Sequence, residues 1–128
     1  MKLKQIDHIV IPTHDLQKCL RFYVDLLGME YENANGYHAL RFGNQKFNVH
    51  PDLGTNPLVA AEEIPGSQDL CIVADGDIHA IKDEIDAFGW PRVTDVVERH
   101  GAMGVMDSVY VRDPDGNLIE ISVYRNEK

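Results

Sequence analysis

The sequence predicts an α+β fold of two βαβββ modules, each a curved, cup-like mixed sheet with its helix on the outer face. Two observations carry that prediction. The order strand, helix, then three strands is written twice along 128 residues, and a recurring order of this kind marks a repeat. Within each copy the apolar residues switch from alternation to helical spacing and back, which separates strands from helices.

Ile6 to Ile11 reads as the first strand, with Thr13 and Asp15 after it as cap candidates. Leu16, Cys19, Leu20, Tyr23, Leu26 and Leu27 then fall at helical spacing, and Gly28 is a natural stop. Strand-like runs at Met29 to Asn33, Tyr37 to Phe42 and Gln45 to His50 complete the first module. In the second, Leu70 to Ala74 reads as a strand, and Asp77 caps a helix carrying Ile78, Ile81, Ile85 and Phe88 on one face. Gly89 and Pro91 end it, and strands follow at Val93 to Glu98, Met106 to Arg112 and Asn117 to Tyr124. The run Asp113-Pro114-Asp115-Gly116-Asn117 supplies turn chemistry before the last strand. The expectation is a single domain over 1–128, with module one at about 1–50, a linker at about 51–66 and module two at about 67–128. Arg99 to Gly104 reads either as a plain hairpin connection or as a mobile lid over substrate.

Composition narrows the function classes. Twelve Lys and Arg against 21 Asp and Glu give a formal charge of −9, which argues against nucleic-acid or anionic-membrane partners. No run approaches the ~20 apolar residues of a membrane span, and the first residues hold no signal-peptide core, so a cytoplasmic protein is expected. Cys19 and Cys71 have no metal-binding spacing and read as buried, reduced thiols.

Alternation along the strands points to a site. Phe47 and Val49 face the helices, leaving Lys46, Asn48 and His50 on the other face; Ile119 and Ile121 likewise leave Leu118, Glu120 and Ser122 opposite. Val109 and Val111 turn Ser108 and Tyr110 to that same face. A carboxylate in a strand interior needs a cation or a metal beside it. Placing the two copies in register sets His50 against Glu120 and His8 against Leu70, so three of four equivalent positions carry metal-competent side chains. Two imidazoles and a carboxylate, His8, His50 and Glu120, suit a first-row divalent ion and leave coordination positions for water or substrate. Tyr110, Arg99, His100, Lys46 and Asn48 are the candidates for substrate contact.

The pieces Ile6-Asp7-His8-Ile9-Val10, Arg21-Phe22-Tyr23, Leu26-Leu27-Gly28, Phe47-Asn48-Val49-His50 and Arg112-Asp113-Pro114-Asp115-Gly116-Asn117-Leu118-Ile119-Glu120 resemble the vicinal oxygen chelate superfamily along essentially the whole chain. That superfamily includes glyoxalase I, fosfomycin-resistance proteins, extradiol dioxygenases and bleomycin-resistance proteins. Pro65-Gly66-Ser67-Gln68-Asp69-Leu70-Cys71 and Gly101-Ala102-Met103-Gly104 add a resemblance to the glyoxalase-domain-containing protein 5 type. The resemblance implies a divalent-metal-dependent, glyoxalase-like enzyme with lyase or isomerase chemistry on a small substrate chelated through vicinal oxygens, and Zn, Ni, Mn or Fe as the ion. It also implies a catalytic role for Glu120 as a base, and a homodimer. An extradiol-type, biphenyl-diol-like dioxygenase using Fe(II) and a metal-free small-molecule binding or resistance protein are the alternatives. Glyoxalase I would place a further ligand at the start of module two, where Leu70 stands and cannot coordinate.

Overall fold

The computed structural model describes residues 1–125, which form two compact units, the first Met1–Ser67 and the second beginning at Gln68. In the first, β1 (His8–Pro12), β2 (Glu30–Ala34), β3 (Tyr37–Phe42) and β4 (Gln45–His50) make a sheet in the order β1-β4-β3-β2. In the second, β5 (Asp69–Val73), β6 (Val97–Gly101), β7 (Gly104–Arg112) and β8 (Leu118–Tyr124) repeat that arrangement as β5-β8-β7-β6. The first and last strands of each unit pair in parallel and the others antiparallel. This is the predicted α+β fold of two βαβββ modules with mixed, curved sheets.

The first helix differs from the regular one expected. Asp15 caps it, accepting from the Lys18 amide at 3.2 Å, and α1 (Leu16–Leu20) runs directly into a π-helical segment, Arg21–Leu26. The widened turn leaves Cys19, Phe22 and Tyr23 fully buried. Tyr23 meets Phe22 and Phe47 edge-on at 4.8 and 5.8 Å, so the helix closes over the Phe47 side of the sheet. In the second unit α2 (Ile78–Phe88) is capped by Asp77 and ends at Gly89, whose φ of 86° is the left-handed conformation that stops helices. It buries Ile78 and Ile85, as the helical spacing predicts. No helix among the described residues is long and apolar enough to cross a membrane.

Two loops hold the frame together. Asp113 Oδ1 accepts from the amides of Asp115 and Asn117 at 3.0 and 2.9 Å, and its Oδ2 from the Asn117 side chain at 2.7 Å. Fully buried Asn117 in turn accepts from the Gln68 amide at 2.8 Å, tying the start of β8 to the start of β5. The Arg99–Gly104 stretch is a tight hairpin, not a lid: Gly101 pairs with Gly104, and the Tyr124 hydroxyl accepts from the Met103 amide at 3.1 Å. The strand expected from Val93 begins instead at Val97, because Arg92 and Val93 spend their backbone on a single bridge beside Tyr110 and Val111.

Candidate functional site

Pairing in the ladders decides which side chains share a face. In the second unit Cys71 and Tyr110 flank Glu120, while Ser108 lies opposite Ser122. These residues share one face, and Ile119, Ile121 and Val109 occupy the other, in the buried core. Glu120 Oε2 accepts from Ser108 Oγ at 2.8 Å and Ser122 Oγ at 3.1 Å, and the two hydroxyls lie 2.7 Å apart. Ser108 and Ser122 are fully buried, so the carboxylate is fixed from beneath by neutral donors. Arg112, at the end of β7, donates to the Gly116 carbonyl.

Arg99 and Tyr110 complete this face. The Arg99 guanidinium lies 5.5 Å from the Tyr110 ring centroid, and its Nε donates to the tyrosine hydroxyl at 3.1 Å. Burial, together with the phenol's hydrogen bond to the Glu120 carboxylate, raises the Tyr110 pKa despite Arg99, so the phenol keeps its proton. Burial and the Glu120 charge raise the Cys71 thiol as well, against the Ser122 hydrogen bond that lowers it. Cys71 is exposed, not buried as expected, and Cys19 is buried; both are free thiols.

Three expectations need correcting. Leu70 pairs with Ile119 on the helix face, whereas Asp69 and Cys71 share the face of Glu120. The residue in register with His8 is therefore Asp69: His8 opens β1 opposite Lys46, as Asp69 opens β5 opposite Leu118. By the same ladders the partner of Glu120 in the first unit is Asn48, not His50. His100 pairs with Val105 and faces away from Arg99 and Tyr110, ending 3.9 Å from Glu98, so it does not join the candidate substrate contacts.

The first unit places Lys46, Asn48 and His50 on one face, as predicted, with His8 beside Lys46. His8 and His50 are not brought together there. His50 is level with Pro12, four residues along from the His8–Lys46 pair, about 13 Å at 3.3 Å per residue. Each imidazole has its own carboxylate: His8 Nδ1 meets Asp7 at 2.8 Å and His50 Nδ1 meets Glu63 at 2.6 Å. The His8 interaction holds the Asp7 carboxyl below its usual range. Among the described residues no group of three or more His, Cys, Asp or Glu side chains stands ready to hold an ion. Asp7 and Glu63 went unrecognised in the sequence; alternation placed Ser108 and Ser122 on the face of Glu120 but did not show that both hydroxyls bond its carboxylate.

Residues 5–121 match the model of the Glyoxalase/Bleomycin resistance protein/Dioxygenase superfamily. The chain is 39% identical over its whole length to glyoxalase domain-containing protein RDO1 of Mycosarcoma maydis, covering 73% of that protein. It is similar also to virulence protein STM3117 of Salmonella typhimurium, whose crystal structure superposes with a TM-score of 0.94 at 40% identity, covering 98% of this chain and 100% of that one. Lactoylglutathione lyase from Agrobacterium tumefaciens shares the fold at 22% identity, with a TM-score of 0.72 and 95% of each chain covered. The chain belongs to the glyoxalase/bleomycin resistance protein/dioxygenase superfamily.

Proposed function

We propose that this chain is a divalent-metal-dependent, glyoxalase-like enzyme that moves a proton on a small substrate carrying neighbouring oxygens, in lyase or isomerase chemistry. The observation that carries this reading is Glu120, a carboxylate fixed by two buried hydroxyls beside a protonated phenol. Ser108 and Ser122 hold it in one orientation, as a proton acceptor requires. Tyr110 keeps its proton available to donate toward a substrate oxygen, and Arg99 favours negative charge at that oxygen. The acidic chain and its two free thiols accord with a cytoplasmic protein.

The donors proposed for the ion are His8 and Glu120. His8 has the chemistry for it: Asp7 occupies Nδ1 and leaves Nε2 as the available nitrogen, as a carboxylate commonly does for a metal-binding histidine. When bound, a divalent ion would supply Lewis acidity toward the substrate oxygens. His50 is left out of this set because the β1–β4 ladder separates it from His8.

Mass spectrometry of protein purified without added metal tests the reading. Zinc, nickel or manganese in the parent, lost in His8→Ala and Glu120→Ala, is the expected result. Retention equal to the parent's would sink the ligand assignment, iron would turn the reading to oxygenase chemistry, and an empty parent protein to ligand binding alone. A homodimer is part of the proposal, supported by β2, a sheet edge exposed along its length. Sedimentation should show a dimer, and a monomer at micromolar concentration would refute it.

A further inference from the structure

His50 and Glu63 belong to the first unit and have no role in the reaction proposed above. Glu63 comes from the segment between the two modules, and its side chain is only 10% exposed, yet it spends its carboxylate on His50 Nδ1 at 2.6 Å. In the neutral imidazole a carboxylate there favours the proton on Nδ1, which leaves Nε2 with its lone pair. Beside the imidazole lies a cavity of about 130 Å³, whose walls include Tyr37, His38, Asn48, His50, Asp52 and Thr55. His50 lines this cavity, and Glu63, which holds its Nδ1, does not. Three features lie together on the first unit: an imidazole held by a carboxylate, a small half-open cavity with both polar and apolar walls, and Asn48 on the same sheet face as His50.

We propose that this cavity is a subsite for a neutral, hydroxyl-bearing small molecule, in which His50 Nε2 accepts the ligand's O–H and Glu63 serves as the positioning residue that sets the acceptor. The Asp52 carboxylate in the wall disfavours anions, and the volume limits the occupant to a fragment of a few heavy atoms or to one end of a larger substrate. The site is made entirely within the first unit and does not depend on the metal or on Glu120.

Nitrogen-15 NMR of the intact protein at about pH 8.5, above the ordinary imidazole range, tests both halves. The expected His50 signal is that of the Nδ1–H tautomer with bare Nε2, and Glu63→Ala should move it to the Nε2–H tautomer. Propane-1,2-diol, added to about 200 mM because so small a fragment binds weakly, should shift His50 Nε2 and the Asn48 and Thr55 amides progressively. The shifts should fall several-fold in Glu63→Ala and in His50→Gln, and 1,2-dimethoxyethane, which lacks hydroxyls, should leave the spectrum unchanged. Equal shifts from the diether, or none from the diol in the folded parent, would overturn the proposal. So would Zn²⁺ claiming Nε2 in competition with the diol, which would make His50 a metal ligand. Loss of metal in His8→Ala, by contrast, bears only on the reaction proposed above.

Discussion

At the scale of single residues, the difference between a ligand and a core side chain came down to one step of strand register. Leu70, Cys71, Ile72 and Val73 form an unbroken apolar run, and such a run carries no alternation to say which residues face outward. A slip of one residue reverses the faces, which is how Leu70 was aligned with His8 when Asp69 holds that place. Leu70→His should lower stability by about 1–3 kcal/mol by pressing an imidazole against Ile119, with no gain in Zn²⁺ affinity by calorimetry; tighter zinc binding in a folded variant would restore the discarded register. Where polar and apolar residues do alternate, as from Lys46 to His50 and from Ser108 to Glu120, the sequence was enough to assign the face. Glu63 and Asp7 were illegible for another reason: each acts from a segment with no period, where nothing in the chain says which histidine it will meet.

At the scale of elements, the helices, β3 and β4 were readable nearly to the residue, because caps and glycine stops bound them. The β6–β7 hairpin was not. Its two glycines resembled the hinges of a lid, but Gly101 is small for a packing reason: a Cβ there would meet Met106 Cε and the Tyr124 hydroxyl, both at 2.5 Å. Gly101→Ala should therefore destabilise the protein by about 1–3 kcal/mol, an overpacking cost, in urea unfolding. Adding Tyr124→Phe removes one of the two clashing atoms and should return part of that loss. Additive costs for the pair, or a neutral Gly101→Ala, would show the hairpin to be looser than its contacts imply.

At the scale of the whole molecule, the repeat was the most legible feature, since two copies of one pattern constrain each other; what it could not set was the register between them. The acid sensitivity of the chain is a property of many carboxylates, and Asp107 gives it a measurable instance. Arg125 hydrogen-bonds Asp107 at 2.8 Å and holds its carboxyl below the usual carboxylate range. A folded pKa below the unfolded one contributes stability that is present above the unfolded value and lost as pH falls through the folded one. Asp107→Asn should thus lower Tm by about 2–4 °C near neutral pH, and the gap from the parent should close as pH falls below the ordinary aspartate range and through the lowered folded value; a gap that does not shrink with acid would trace to packing and not to charge. The bond from Gln68 to Asn117 has a consequence in time as well as in space. It spans 49 positions of the chain, so while the protein is being made β5 leaves the ribosome long before β8 exists to receive it. At roughly 5–20 residues per second that interval is about 2–10 s, during which the apolar run from Leu70 to Val73 has no strand beside it. A nascent chain stalled after Arg112 therefore carries its stickiest segment uncovered, and it is at that stage of synthesis that a chaperone has the most to bind.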